Sequence, residues 1–326
     1  MIKMYDLKGK SVMVTGGAGF IGSHLVDGLI KERPGRIVAV DNLFLGSMGN
    51  LRDAMRSKDL VVINDDATDL EKMRQIVRSN EIDVVFNLAV VPLGTSIIKP
   101  DWTFDTNVKI TRTFCELARE DEFDTLVHFS SSEVYGTLTG KMDETHQLLP
   151  HTPYAASKAA CDHLVYSYYK TFGIDMTMIR PFNNYGPRQN DKSYAAVIPL
   201  TIKRILNGEP PVIHGDGEQT RDFLFVEDTV KATIDAYKSE KTRGLTMNVA
   251  SGVETSVNTL VRMICGELGW EKPVVHTDPR PGDVQRHLGD ATLARKIIGF
   301  RPATCLEDGI RQTVDWYREQ EGKKCA

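Results

Sequence analysis

Tyr154 and Lys158 are the first pair of residues whose types and spacing suggest chemistry. They stand four positions apart in the run Tyr-Ala-Ala-Ser-Lys, so on a helix they share one face. An ammonium group beside a phenol favours the phenolate and lowers the pKa of the phenol, which suits proton transfer near neutral pH. In most helices such a pair lies on the surface, so the prediction of a catalytic pair depends on its surroundings.

A glycine-rich turn near the N-terminus provides those surroundings. The sequence TGGAGFIG follows a short apolar run and precedes a helical pattern. Glycines at this spacing permit a tight turn, close approach of a pyrophosphate to the backbone and close packing of helix on strand. Free N–H groups at the N-terminus of the helix then bind the phosphates. We therefore predict a dinucleotide site at Gly16, Gly19, Phe20, Ile21 and Gly22.

Asp41 indicates which dinucleotide this site accepts. It follows the second strand pattern about 20 residues after the glycines, where a carboxylate accepts hydrogen bonds from ribose hydroxyls. A carboxylate there repels a 2′-phosphate, and no arginine follows directly, so NAD is expected rather than NADP. Asp66 and Ala67 follow the third strand pattern and either contact the adenine or form a simple turn. The other predicted cofactor contacts stand at or just beyond strand ends: Asn42, Leu88, Ala89 and Pro181.

The elements that must position these residues alternate between short strands and longer helices. The strand patterns are nearly continuous apolar runs, typical of strands that are covered on both faces. Their alternation with helices predicts βαβ units and an α/β fold, a Rossmann-type doubly wound parallel sheet. The predicted strands are Ser11–Thr15, Arg36–Val40, Leu60–Ile63, Asp83–Leu88, Thr125–Ser130 and Met176–Arg180, and the predicted helices are Ile21–Lys31, Asp69–Ser79, Thr103–Arg119 and Pro153–Phe172.

The composition of the sequence changes after Pro181, where Gly and Pro become more frequent. We predict an NAD-binding domain over residues 1–180, which carries the Ser/Tyr/Lys set, and a smaller α/β substrate-binding lobe over residues 181–326. Asp222–Val226 and Thr246–Ala250 are expected to add strands to the main sheet or to a small one beside it. No repeat or low-complexity segment occurs, so the boundary marks a change of role within one compact body.

Composition and charge argue against several classes of partner. The net charge is −4 and no basic tract occurs, so nucleic acid is not an expected partner. The N-terminus lacks the apolar stretch of a secretory signal, and no apolar run approaches the roughly 18 residues of a membrane span. The five cysteines form no CxxC pair and have no metal-ligand spacing. We therefore expect reduced thiols, no metal, no membrane contact and a cytoplasmic location.

Several motifs occur together along the whole chain: TGGAGFIG, the acidic strand end at Asp41, FSSSEVYG, YAASK, NNYGPR, GDGEQTRDFLFVED and RPGDV. Together they resemble the extended short-chain dehydrogenase/reductases, the NAD-dependent epimerase/dehydratase family that modifies nucleotide sugars. The resemblance implies a nucleoside-diphosphate sugar as substrate and NAD as a recycled cofactor. It also implies that Tyr154 takes the proton of the sugar 4-OH while hydride passes from C4 to NAD, which leaves a 4-keto sugar.

The resemblance assigns roles to individual residues. Ser131 matches the hydroxyl that hydrogen-bonds the sugar oxygen, Tyr154 the acid/base, and Lys158 the residue that holds the nicotinamide ribose and tunes the tyrosine. Arg221 matches an arginine that grips the diphosphate, and its guanidinium fork suits phosphate oxygens. With Ser131, the substrate contacts that the resemblance implies are Asn183, Asn184, Arg221, Asn248 and Arg280.

Glu133 bears on the reaction that follows oxidation. A carboxylate beside a 4-keto sugar can remove the C5 proton and allow loss of the 6-OH, whereas simple 4-epimerases of the family usually carry no carboxylate there. Ser132 stands where the deoxythymidine-diphosphate-glucose 4,6-dehydratases carry Asp, so Glu133, or water held by Ser132, must protonate the leaving hydroxyl. The same Ser-Glu pair also resembles the uridine-diphosphate-glucuronate decarboxylases.

The segment from Leu88 to Ser96 matches none of these subfamilies and is expected to lie beside the sugar ring. The run RPFNNYGPRQ, followed by Val-Ile-Pro, looks more like the dehydratases. We therefore predict a 4,6-dehydratase, with Ser131, Ser132, Glu133, Tyr154 and Lys158 as catalytic residues. A UDP-glucuronate decarboxylase and a nucleotide-sugar 4-epimerase are the alternatives. A non-catalytic NAD-binding relative is a remote one, because the Ser/Tyr/Lys set is intact.

The family often dimerises through a bundle of four helices, two from each subunit. The resemblance therefore implies a homodimer, with Thr103–Arg119 and Pro153–Phe172 as the matching helices. Val165, Tyr168 and Tyr169 either supply apolar surface for this bundle or face the core of their own subunit.

Overall fold

The structure, a computed structural model, describes residues 5–191, 195–279 and 284–324. The strands are β1 (Ser11–Thr15), β2 (Arg36–Asp41), β3 (Leu60–Asn64), β4 (Val84–Asn87), β5 (Thr125–Phe129), β6 (Met176–Pro181), β7 (Asn183–Tyr185), β8 (Val212–His214), β9 (Thr220–Phe225), β10 (Thr246–Val249), β11 (Glu254–Ser256) and β12 (Val275–Thr277). The helices are α1 (Phe20–Lys31), α2 (Leu70–Ser79), α3 (Leu93–Ile98), α4 (Pro100–Arg119), α5 (Pro153–Phe172), α6 (Val197–Leu206), α7 (Val226–Lys238), α8 (Val257–Leu268), α9 (Thr292–Ile298) and α10 (Leu306–Lys324).

The central layer is a seven-stranded parallel sheet in the order β10-β6-β5-β4-β1-β2-β3. The order reverses between β1 and β4, and in doubly wound sheets ligands bind at that switch point, beyond the carboxyl ends of the strands. All six predicted strands before residue 181 are confirmed to within one residue at each end. The predicted Rossmann-type fold is therefore confirmed.

Local capping explains where the helices that carry the site begin. The Thr152 hydroxyl accepts a hydrogen bond from the Ala155 N–H at 3.2 Å, and Pro153 occupies the first turn, so α5 begins just before Tyr154. At the other end of α5, Gly173 adopts a φ of +72°, which closes the helix. Pro100 likewise starts α4, three residues earlier than predicted, because proline suits the first turn of a helix.

The second half of the chain is interleaved with the first. β10 pairs in parallel with β6, so the predicted strand near residues 246–250 joins the main sheet, whereas β9 lies in a three-stranded sheet with β7 and β11. α7 packs on α1, and side chains of α7 share one apolar core with β1 and β5. A further apolar core holds α6, α8 and α10 around β9. The predicted boundary at residue 181 therefore does not separate two independent cores.

Other features of the described residues bear on the remaining predictions. Cys115, Cys161 and Cys265 are buried, Cys305 is exposed, and all four are free thiols. No group of three or more His, Cys, Asp and Glu side chains in the described ranges could hold a metal ion. Within the same ranges, no helix combines the length and the apolar character needed to cross a bilayer.

Candidate active site

A cavity of about 1460 Å³ opens at the carboxyl ends of the central strands, at the switch point between β1 and β4. It is larger than the usual range of up to about 1,000 Å³ for a single drug-sized ligand, so it has room for more than one. Both halves of the chain contribute to its walls. The predicted residues that line it are Gly16, Gly19, Phe20, Ile21, Gly22, Asp41, Asn42, Asp66, Ala67, Leu88, Ala89, Ser131, Ser132, Glu133, Tyr154, Lys158, Pro181, Asn183, Asn184 and Arg221.

The glycine turn between β1 and α1 forms a backbone cradle at one end of the cavity. Gly16 adopts a φ of +67°, which favours glycine. A Cβ on Gly22 would stand 2.8 Å from the carbonyl carbon of Gly16 and closer still to its oxygen, so the turn and the helix pack too tightly for any side chain. Gly19 caps α1 without a side-chain hydrogen bond, which leaves the first N–H groups of the helix free of a side-chain cap. These features fit the pyrophosphate of a dinucleotide.

Asp41 lies at the end of β2, next to this cradle. Its Oδ2 accepts a hydrogen bond from the Ala18 N–H at 3.0 Å and its Oδ1 accepts one from the Leu43 N–H at 2.8 Å. Each carboxylate oxygen has two lone pairs, so both retain capacity for a hydroxyl donor. Burial raises the pKa of Asp41, while the backbone donors oppose that shift. Asn42 donates to Asp66 Oδ2 at 3.4 Å, which ties the ends of β2 and β3 together.

Tyr154 and Lys158 lie one helical turn apart on one face of α5. Lys158 is 5% exposed and its ammonium donates to the Phe129 carbonyl oxygen, and burial lowers its pKa. Burial also raises the pKa of Tyr154 to about 12, and a side-chain hydrogen bond with Ser131 opposes this shift. Burial thus acts against the predicted effect of the ammonium on the Tyr154 phenol, and the prediction that this ammonium favours the phenolate stays a prediction.

The carboxylate of Glu133 reaches the cavity from a short 3₁₀ turn, Ser132–Tyr135, that follows β5. The Ser131 hydroxyl accepts a hydrogen bond from the Glu133 N–H at 3.2 Å and so caps this turn. The side chain of Glu133 is 18% exposed, and its Oε1 lies 3.8 Å from Nδ1 of His287. Ser131, Glu133 and Tyr154 therefore line the same cavity, held by β5 and α5.

The predicted substrate contacts divide into two groups. Asn183, Asn184 and Arg221 line the cavity. Asn248 does not, contrary to the prediction: it is fully buried, its Nδ2 donates to the Met142 carbonyl at 2.8 Å, and its Oδ1 accepts from the Tyr135 hydroxyl at 2.8 Å. Its position in β10 directs it into the protein, where those bonds satisfy it. Arg280 lies outside the described residues.

The apolar residues considered for a dimer bundle face inwards. Val165 is fully buried, and Tyr168 and Tyr169 pack against the core between the sheet and helices α2, α4 and α5. They therefore do not supply a free apolar surface. The exposed aromatic side chains on α4 and α5 are Trp102, Phe104, Tyr166 and Phe172.

Comparisons with known proteins identify the family. Residues 13–313 match the family model described as GDP-mannose 4,6 dehydratase. The chain belongs to this family. A putative UDP-glucose 4-epimerase from Methanocaldococcus jannaschii is 34% identical, over 94% of this chain and 98% of that protein. A dTDP-glucose 4,6-dehydratase from Xanthomonas campestris is 35% identical, over 94% of this chain and 92% of that protein.

A solved structure supports the same family assignment. The dTDP-glucose 4,6-dehydratase from Bacillus anthracis, in complex with NAD, has a TM-score of 0.87 and 30% identity, over 96% of this chain and 98% of that chain. These matches confirm the predicted family, the extended short-chain dehydrogenase/reductases, and the predicted enzyme class with NAD as cofactor. They include both dehydratases and epimerases, so they do not single out one reaction.

Two residues that shape the site, Asn107 and His287, were not predicted. Asn107, on α4, accepts from the Val91 N–H at 2.7 Å and donates to the Val91 carbonyl at 3.1 Å and to the Ser157 hydroxyl at 2.9 Å. It thereby fixes the segment after β4 against α4 and α5. A polar residue on the inward face of a helix was the available signal. His287 had none, because it is a single histidine in a loop.

Proposed function

We propose that this enzyme is an NAD-dependent 4,6-dehydratase of a nucleoside-diphosphate sugar. The observation that carries the proposal is the Glu133 carboxylate, which lines the cavity together with Ser131 and Tyr154. A 4-keto group acidifies the neighbouring C5–H bond, and a carboxylate within reach can remove that proton as a general base. Loss of the 6-OH from the resulting enolate gives a 4-keto sugar with a C5–C6 double bond. Return of the hydride to C6, with a proton to C5, would then give the 4-keto-6-deoxy sugar.

The roles of the other site residues follow from their positions. The cradle at Gly16–Gly22 and the Asp41 carboxylate would hold NAD, which when bound supplies the hydride acceptor for C4 and positive charge beside Tyr154. Tyr154 takes the proton of the 4-OH, and Ser131 orients that hydroxyl through its hydrogen bond. Lys158 is buried with its ammonium donating to the Phe129 carbonyl, one helical turn after Tyr154, and in this proposal it stabilises the phenolate during transfer.

The substrate end of the cavity suits a nucleoside diphosphate. Arg221 lines this wall together with Asn183 and Asn184, and a guanidinium binds a diphosphate through paired N–H donors. Arg188 and Arg204 also line the cavity, and they are paired with the carboxylates of Asp27 and Glu209. This pattern supports a substrate with two phosphates and a neutral sugar beside Glu133.

A nucleotide-sugar 4-epimerase is the second candidate. Ser132 supplies a hydroxyl where the dehydratases with an Asp-Glu pair have a second acid, and the Methanocaldococcus jannaschii relative is named as a putative UDP-glucose 4-epimerase. In an epimerase the 4-keto sugar turns over and accepts hydride on its other face. Glu133 would then take no part in the chemistry.

Product analysis separates these reactions. The enzyme is incubated with UDP-glucose, dTDP-glucose, UDP-N-acetylglucosamine and UDP-glucuronate, and the products are weighed by mass spectrometry. A dehydratase releases one water per sugar, a decarboxylase releases carbon dioxide from the glucuronate, and an epimerase yields an isomer of unchanged mass. We expect loss of water; an isomer of unchanged mass as the sole product contradicts the proposal.

Glu133→Gln tests the residue that carries the proposal. The amide keeps the shape of the side chain but is no base, so dehydration is expected to fall by about 10²- to 10⁴-fold while NAD binding is unchanged. Glu271→Gln is the matched control, because Glu271 is exposed and does not line the cavity. Full dehydratase activity of the Glu133 variant contradicts the role that is assigned here.

We also propose that the enzyme is a homodimer, with the outer faces of α4 and α5 as the contact. Phe104 and Tyr166 are 36% and 47% exposed on these faces, and a dimer would remove their rings from water. Light scattering of the native chain should give twice the chain mass. Phe104→Glu together with Tyr166→Glu should give the mass of one chain.

A further inference from the structure

His287 lies directly behind Glu133, and the reaction described above makes no use of it. Its side chain is fully buried, and its Nδ1 stands 3.8 Å from Oε1 of Glu133. The ring packs on Phe182, with ring centroids 5.3 Å apart. His287 is not among the residues that line the cavity, but its neighbours Glu133 and Asn183 are, so it can influence a sugar through them.

The hydrogen bonds of His287 fix which ring nitrogen carries the proton. Nε2 lies 3.0 Å from the Ser132 carbonyl oxygen, which can only accept, so Nε2 carries the hydrogen. In the neutral ring Nδ1 then carries the lone pair, and Oε1 of Glu133 lies 3.8 Å from it. The Asn183 amide donates a long hydrogen bond, of 3.4 Å, to the same Nδ1, and a protonated Glu133 would have to replace that donor. His287 is therefore oriented as a proton acceptor next to the Glu133 carboxyl group.

The surroundings keep this ring neutral near pH 7. Burial lowers the pKa of His287, as does the positive charge of Arg221 on β9, while Glu133 opposes both. The nearby Asp222 carboxylate, also on β9, accepts hydrogen bonds from the N–H groups of Ser251, Gly252 and Gly289. The lowered pKa of His287 favours the neutral ring, in which Nδ1 carries no proton.

We propose that His287 is a positioning residue for Glu133, and that the two side chains share the proton that Glu133 removes from the sugar. This rests on the proposed dehydratase function. Glu133 takes the C5 proton, and the electrons of the C5–H bond enter the enolate of the 4-keto group. A small rotation of the carboxyl group brings the new O–H within hydrogen-bond distance of Nδ1, where the proton is held.

The same pair completes the elimination. The proton passes from Nδ1 back through Glu133 to the departing O6 as the C6–O bond breaks. The enolate electrons then form the C5–C6 double bond, and water leaves. This supplies the acid that Ser132 cannot provide, and both residues end in their starting protonation states. The hydride taken from C4 would then return to C6 while a solvent proton adds to C5, in exchange for the 4-OH proton that Tyr154 releases. The product is the 4-keto-6-deoxy sugar, and NAD would be restored.

His287→Gln tests the shared proton, because its amide can donate to the Ser132 carbonyl but cannot accept a proton. We expect dehydration to slow by about 100-fold and its dependence on pH to change, while oxidation at C4, followed as NADH formation, stays within about threefold. NAD affinity and thermal unfolding of the variant should match the native chain. Dehydration at the native rate with an unchanged pH profile overturns the proposal, as does an equal loss of C4 oxidation.

A measurement on the native chain reports the protonation of the His287 ring directly. Nitrogen-15 NMR of the His287 ring, assigned with His287→Gln or His287→Asn, should give the Nε2–H tautomer near pH 7, and Glu133→Gln should lower the pKa of the ring. The Nδ1–H tautomer overturns the proposal, because that nitrogen could not receive a proton. A native enzyme that loses no water from any sugar overturns the proposed function itself, and the role of His287 with it.

Discussion

A methyl group added at Gly22 should weaken NAD binding strongly while the protein remains folded. Its Cβ would stand 2.8 Å from the carbonyl carbon of Gly16 and 3.1 Å from the Gly17 Cα. Carbon atoms prefer about 3.5–4.0 Å, so the glycine turn and α1 must separate by roughly 1 Å. A misplacement of that size costs on the order of 100-fold where geometry decides the outcome, which corresponds to about 2.7 kcal/mol.

The assay compares the dissociation constant of NAD for the native chain and for Gly22→Ala, measured by isothermal titration calorimetry. Gly266→Ala is the matched control: it lies in α8, and a Cβ there meets no atom within 4 Å. Alanine favours a helix over glycine by about 1 kcal/mol, so this control should unfold at a higher temperature and bind NAD normally. An affinity of Gly22→Ala within about threefold of the native value refutes the packing argument.

Three further outcomes follow from the structure. Tyr154→Phe should abolish turnover of every nucleotide sugar and leave NAD bound, which product analysis and calorimetry will check; measurable turnover contradicts its role. Asp162→Ala should lower the free energy of unfolding, measured by urea titration, by about 3–5 kcal/mol. The reason is that the buried Arg180 guanidinium, which lies 2.8 Å from the Asp162 carboxylate, would lose the carboxylate that pairs with it. A loss under about 1 kcal/mol contradicts this expectation. Burial raises the pKa of Tyr135 from 10.0 to about 12. The phenol therefore contributes stability below pH 10, which is lost as the pH rises towards 12, by about 3 kcal/mol; Tyr135→Phe should lack this part of the alkaline decline.

The sequence predicted the parallel sheet well because each of its strands is a local signal. A buried strand must be apolar on both faces, and this appears in six consecutive residues or fewer without knowledge of the rest of the chain. The glycine turn is also local, since Gly16 and Gly22 meet across one strand-to-helix turn. Tyr154 and Lys158 are placed by one helix. These parts of the site depend on short segments whose geometry is set by their own residues.

Contacts between distant segments could not be predicted in the same way. Asn248 and Tyr135 are 113 residues apart in the chain, and whether the amide faces a cavity or a hydroxyl depends on the packing of β10 against the 3₁₀ turn after β5. His287 and Glu133 meet only because residues 285–289 lie beside β7 and β9. The pKa of Tyr154 likewise depends on burial by segments that the helix alone does not reveal.

The return of β10 to the main sheet has a consequence for synthesis on the ribosome. Until residue 249 has emerged, the edge of β6 presents unpaired backbone N–H and C=O groups along an apolar strand. A nascent chain of about 200 residues would thus hold every NAD-binding residue and still expose an aggregation-prone edge. Expression of residues 1–180 alone should give insoluble protein, and residues 1–250 mark the shortest N-terminal fragment in which that edge is protected.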